Sequence, residues 1–152
     1  MKDSTHPALT LDSEARWWLR IEGLAALLTG IAIYGALGGD WLWFLLLLLA
    51  PDVSAAGYII GPRVGAFVYN LGHVWTTGLA VLGAGIGLAS PPLAFAGAIL
   101  IAHVGMDRMA GYGLKLQTGF RDTHLGAIGR GRRGASAAAL QAPTSSGAQP
   151  AT

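Results

Sequence analysis

The sequence predicts an all-α, membrane-embedded antiparallel four-helix bundle with short turns and both termini on the cytoplasmic side. Three observations carry that prediction. Hydrophobic residues make up 53% of the chain and charged residues 12%, against about 25% charged in a soluble domain. Four stretches, residues 17–37, 41–60, 64–88 and 91–114, reach the length of about 20 apolar residues that a bilayer-crossing helix needs. Lys and Arg fall before or at the start of the first stretch (Lys2, Arg16, Arg20), between the second and third (Arg63), and after the fourth (Lys115, Arg121, Arg130, Arg132, Arg133), while the other two turns carry none. With four spans those three regions share one side, which the positive-inside bias makes the cytoplasm. The compartment expected is the cell inner (plasma) membrane.

Residues 1–15 form a polar N-terminal tail without an apolar core ahead of a cleavage site, so no cleaved signal peptide is expected and the first helix acts as its own insertion signal. Gly38-Gly39-Asp40 ends that helix. The second contains Leu45 to Leu49 in a row; a helix apolar on every face meets lipid or complete burial. Gly61-Pro62-Arg63 separates it from the third helix, and Ser90-Pro91-Pro92 separates the third from the fourth. Connections of a few residues make consecutive helices antiparallel neighbours. Trp17, Trp18, Trp41 and Trp43 lie at predicted helix ends, where indole rings favour the headgroup zone. The transmembrane domain with its cytoplasmic C-terminal segment spans residues 16–129. Residues 130–152 read as a basic then Ala/Ser/Pro/Thr-rich disordered tail. Its Arg130, Arg132 and Arg133 are expected to rest on anionic lipid headgroups, at about 1 kcal/mol each.

Composition also excludes functions. The chain has no cysteine, which removes disulfides, thiolate metal sites and cysteine nucleophiles. Its net charge is +2, and the basic residues sit at turns and chain ends rather than along one face, so no nucleic-acid partner is expected. The G-x-G-x-G at Gly83 to Gly87 is mid-helix and does not follow a strand, so it is not a nucleotide fingerprint.

Chemistry is concentrated in ionisable residues within the spans: Glu22, Asp52, His73, His103 and Asp107. A charged Asp at a helix centre costs about 2.5–3.5 kcal/mol on insertion scales, so these groups are expected to face one another, water or an ion. At 1.5 Å per residue from the cytoplasmic helix ends, Glu22 lies about 8 Å deep, Asp107 about 10 Å, Asp52 about 12 Å, His73 about 15 Å and His103 about 16 Å. All four helices therefore place a polar group in the cytoplasmic half, and none in the outer half. His103 and Asp107 share a helix face as an i,i+4 pair, as do Asn70 and His73 at i,i+3. Pro51 frees a backbone carbonyl one turn before it and lines a kinked cavity. Two imidazoles with two or three carboxylates from different helices suit a divalent metal, Zn²⁺, Mn²⁺ or Fe²⁺.

A resemblance sits on these residues. Arg20-Ile21-Glu22-Gly23, Ala50-Pro51-Asp52, Gly61 to Gly65, Tyr69 to His73, His103 to Arg108, Gly111 to Lys115 and Thr118 to Gly126 resemble the family of small bacterial membrane proteins known as domain of unknown function 4260. The resemblance covers residues 16–129 and implies an integral membrane fold. More distantly, the chain is similar to the YdjM-type membrane-bound predicted metal-dependent hydrolases, which have a Pro-Asp at a helix end and a late His-x-x-x-Asp. That similarity implies Asp52, His73, His103 and Asp107 as metal ligands. Val53-Ser54 stands where those proteins carry a second Asp, and ten residues separate Arg63 from His73, which departs from a two-metal arrangement.

Two classes of function fit this pattern. In a metal-dependent hydrolase of a lipid or membrane-associated ester or phosphoester, Glu22 is the candidate general base, with Asp52 as an alternative. Arg63 or Arg108 then stabilises an anionic group. In a small transporter or proton relay, Glu22, Asp52 and the histidines are carriers; a purely structural subunit is the third reading. Each residue also has a plainer reading. Glu22 pairs with Arg20 or Arg63, Asp52 caps a kink or pairs with Arg63, and His103 and Asp107 form a structural pair. Arg108 faces headgroups, and Asp122 and His124 belong to an ordered cytoplasmic turn that becomes a lid if it folds back over the bundle.

Overall fold

A computed structural model describes residues 13–128; the polar tail at residues 1–12 and the basic and Ala-rich tail at 129–152, with Arg130, Arg132 and Arg133, lie outside the described residues. The described residues are mostly helical, with five α-helices among them: α1 (Ser13–Ala36), α2 (Trp41–Leu48), α3 (Pro62–Gly72), α4 (Trp75–Gly87) and α5 (Pro91–Ala110). A 3₁₀ segment (Ala50–Ile59) prolongs α2, and three short strands follow α5: β1 (Lys115–Leu116), β2 (Gly119–Thr123) and β3 (Gly126–Ala127).

Three helical stretches are long and apolar enough to cross a membrane: Glu14–Ala36, Trp41–Ile59 and Pro91–Ala110. The second of these keeps most of its apolar side chains outside the protein core, with Leu42, Leu45, Leu46, Val53 and Ile59 all exposed. This is a membrane protein, because surface of this kind is stable only against lipid.

The second stretch loses its α-helical form just before Pro51, where a kink is expected, and the third and fourth stretches depart from the sequence expectation. The second stretch is α-helical only to Leu48 and then tightens to 3₁₀. Pro51 lacks the N–H that would continue the ladder, and Asp52 N bonds Leu49 O at 3.2 Å instead. The third stretch breaks at His73–Val74, where Val74 is extended (φ −108°, ψ 143°). The fourth ends at Ala110 rather than 114, because Gly111 adopts a left-handed φ of 89° and closes the helix. There Gly111 N bonds Arg108 O and Tyr112 N bonds Asp107 O.

The chain is also not purely α. Residues 115–127 form a three-stranded antiparallel sheet in the order β1-β2-β3, with Lys115 opposite Thr123 and Asp122 opposite Ala127. Thr118 Oγ1 donates to Asp122 Oδ2 at 2.8 Å across the first hairpin, and Leu114 N donates to His124 Nδ1 at 2.8 Å. The segment packs on α3 and the 3₁₀ segment: Asn70 bridges to β1, and Phe120 meets Tyr58 edge-on at 5.4 Å.

Helix α5 is the centre of the molecule. It packs against α1 and α4, and its residues 101–105 are all buried. Glycine makes the approach possible: a Cβ on Gly105 would strike the backbone of Leu27, and one on Gly97 that of Leu82. Close backbone contact through small residues replaces the hydrophobic drive that lipid does not supply. Ala98, Ile99 and Ala102 meet Tyr34 and Phe44 on one side, while Ala94 and Ile101 meet Leu82 on the other.

Candidate metal centre

The irregularities in the second and third stretches create the site. Pro51 has no N–H for the carbonyl three residues earlier, and the free Leu48 O accepts His103 Nδ1 at 2.7 Å. At the end of α3, His73 N bonds Asn70 O at 2.9 Å, so Tyr69 O is available to His73 Nδ1, also at 2.7 Å. A carbonyl oxygen only accepts, so each ring carries its proton on Nδ1 and presents a bare Nε2 lone pair. Those two Nε2 atoms face each other at 3.0 Å.

Two carboxylates complete the group. Asp52 Oδ1 lies 3.4 Å from His73 Nε2 and 3.7 Å from His103 Nε2, and Asp107 Oδ2 lies 3.8 Å and 3.9 Å from the same atoms. Donor atoms of all four residues fall within 4.8 Å of one another. Ligands at 2.0–2.1 Å around a tetrahedral ion are separated by about 3.3 Å, close to the separations of 3.0–3.9 Å seen here. Lone pairs and carboxylate oxygens brought together in this way repel one another unless a proton or a cation lies between them. The donor set of imidazole nitrogen and carboxylate oxygen fits Zn²⁺, Mn²⁺ or Fe²⁺.

The surroundings hold these side chains in place. The Tyr69 ring stacks on His73 with centroids 3.6 Å apart, and Tyr69 interacts electrostatically with Asp107. Carbonyl-bonded imidazoles are outer contacts of the kind that orient metal ligands. Arg108 closes the helix break, donating to His73 O at 3.1 Å and to Tyr112 O at 2.6 Å. His73, His103 and Asp107 are buried, whereas the Asp52 side chain is 48% exposed and opens the site on one side.

The other sequence candidates lie elsewhere. Glu22 is exposed on α1 and is not a member of the four-residue group. Arg63 is exposed at the start of α3, and Asp52 faces the two histidines rather than Arg63. Arg108 is turned to backbone carbonyls, which corrects the reading that it faces headgroups.

The family model described as a domain of unknown function, DUF4260, matches residues 16–128. The chain belongs to this family. No curated protein and no solved structure matches it. In this DUF4260 chain, sequence reasoning missed the Tyr69 ring and carbonyl, and foresaw the carbonyl freed by Pro51 but not its partner His103. Tyr69 lies four residues before His73, the spacing of helix neighbours, and that was the available signal. The carbonyl of Leu48 reaches His103 only through the fold.

Proposed function

We propose that this protein is a membrane-embedded, metal-dependent hydrolase of a lipid or other membrane-associated ester or phosphoester. One divalent ion is held by His73, His103 and Asp107, with Asp52 on the open side. The observation that carries the metal is the pair of bare Nε2 atoms 3.0 Å apart, each fixed by a carbonyl on its Nδ1. The likeness to YdjM-type proteins at Pro51-Asp52 and His103 to Asp107 supports the same ligand set. When bound, such an ion supplies Lewis acidity and lowers the pKa of a water molecule. Two histidines and one carboxylate leave a coordination position open, as catalysis requires. Asp52, half-exposed beside that position, accepts the proton from water; Glu22, outside the cluster, is the less suited base. Arg63 is left to face an anionic headgroup at the rim.

Four crossings with both termini cytoplasmic complete the proposal, α3 and α4 together forming the broken third. In its support, Gly23 adjoins Met109 and Gly30 adjoins Ala102, while Gly78 adjoins Ile101 and Gly85 adjoins Ala94. Both sets run in opposite directions along the chain.

Elemental analysis of the detergent-purified protein tests the metal. Wild type is expected to carry about one zinc, manganese or iron per chain, lost in His103→Ala and retained in Asp52→Asn, which keeps three ligands. Absence of metal from wild type after reconstitution overturns the reading. The cluster is then an imidazole pair sharing a proton, and transport becomes the first assay.

A further inference from the structure

Lys115 takes no part in the reading above. It is buried on β1, although lysine is almost never enclosed without a charged partner. Among the described residues no carboxylate lies within ion-pair distance of it; the four close pairs all involve the histidines. Its Nζ donates to the Phe120 carbonyl at 2.8 Å and lies 4.0 Å from the centroid of the Phe120 ring and 5.2 Å from that of Tyr69. An ammonium has three donors; one meets that carbonyl, and the rings offer only π faces to the others.

The position is held in place. Asn70 clamps the Lys115 backbone from both sides, accepting from its N–H at 2.8 Å and donating to its carbonyl at 2.9 Å. Asn70 is on α3, three residues before His73. The Tyr69 ring beside the ammonium is the ring stacked on His73. Burial pushes the ammonium below the ordinary lysine value, and the two carboxylates that oppose this are Asp107 and Asp52, both of the cluster. A divalent ion with these two carboxylates and neutral imidazoles is formally neutral, so Lys115 gives the centre a charge of about +1. Arg108 spends two of its five N–H donors on the carbonyls of Tyr112 and His73.

We propose that Lys115 is the anion-receiving group of the centre, taking an oxygen of a phosphate group, and that the substrate is therefore a phosphate ester. The inference rests on the metal reading. A compact, buried point charge with donors to offer suits a phosphate oxygen.

The test uses the full chain loaded with Mn²⁺, reading ³¹P relaxation of two probes: inorganic phosphate, and phosphatidic acid in phosphatidylcholine vesicles holding the protein. Manganese content is measured in parallel for wild type, Lys115→Met and Lys115→Arg. Saturable enhancement is expected in wild type, weakened about tenfold or more in Lys115→Met and restored in Lys115→Arg, at unchanged manganese. Enhancement of the vesicle lipid alone supports a lipid headgroup phosphate; enhancement of inorganic phosphate as well supports a soluble ester. Unchanged phosphate affinity in Lys115→Met at unchanged manganese overturns the role of Lys115 and leaves the metal reading standing. Loss of manganese together with phosphate makes Lys115 a packing residue and also overturns it. No manganese in wild type removes both readings.

Discussion

Replacing Tyr69 with Phe removes a single oxygen from the proposed centre and leaves the ring that stacks on His73 at 3.6 Å. What is lost is the hydroxyl, which interacts electrostatically with Asp107. Deleting a group that contacts a metal-ligating side chain lowers metal affinity about 10–100-fold. The Kd for Zn²⁺ is therefore expected to rise about 10–100-fold, which is about 1.4–2.7 kcal/mol. Competition with a chromophoric chelator, on the purified full chain in detergent, reads this directly. Tyr58→Phe is the matched control, because the Tyr58 hydroxyl has no hydrogen-bond partner; its Kd is expected to stay within about twofold of wild type. Equal Kd values for the two variants would refute the reasoning that Tyr69 orients a ligand.

Two further outcomes follow from the fold. Gly105→Ala places a Cβ on the backbone of Leu27, whereas Gly83→Ala enters open space. The first is expected to lower the thermal midpoint by the equivalent of about 1–3 kcal/mol, and the second to be neutral or to stabilise by up to about 1 kcal/mol. Identical melting of the two would contradict the close packing of α1 on α5. His124 lies outside the spanning helices, and burial pushes its ring below the ordinary value of 6.5, with Arg108 acting in the same direction. Its neutral Nδ1 accepts from Leu114 N. The unfolded chain takes up the proton first, so this contribution is complete above about pH 6.5 and is lost as pH falls through the lower folded value. Amide protection over residues 115–127, after correction for the pH dependence of intrinsic exchange, is expected to fall on acidification in wild type and to do so less in His124→Gln; equal pH slopes in the two would remove His124 as the cause.

Much of the candidate site was legible in the sequence because burial of charge in an apolar helix is costly. Asp52, His73, His103 and Asp107 are conspicuous among leucines and glycines, and their similar depth along separate helices pointed to convergence. Glu22 shared that signal, yet it is exposed on α1. Depth along an axis is readable from residue number, whereas rotation about it depends on which neighbour the helix packs against. The i,i+4 spacing placed His103 and Asp107 on one face, and in the structure that face meets His73 and Asp52.

By itself the sequence determined the membrane character, the apolar stretches and their turns, and the freeing of a carbonyl by Pro51, since these depend on composition and local stereochemistry. Tertiary structure alone decided that the freed Leu48 carbonyl receives His103, 55 residues away, and that Arg108 closes a break at His73. It also decided that residues 115–127 fold as a sheet against α3. Each joins groups distant in the chain to backbone atoms that a straight helix would have satisfied internally. Such partners become available only once a helix has ended, and what fills them depends on which side chain the packing of α5 and the hairpin brings within reach.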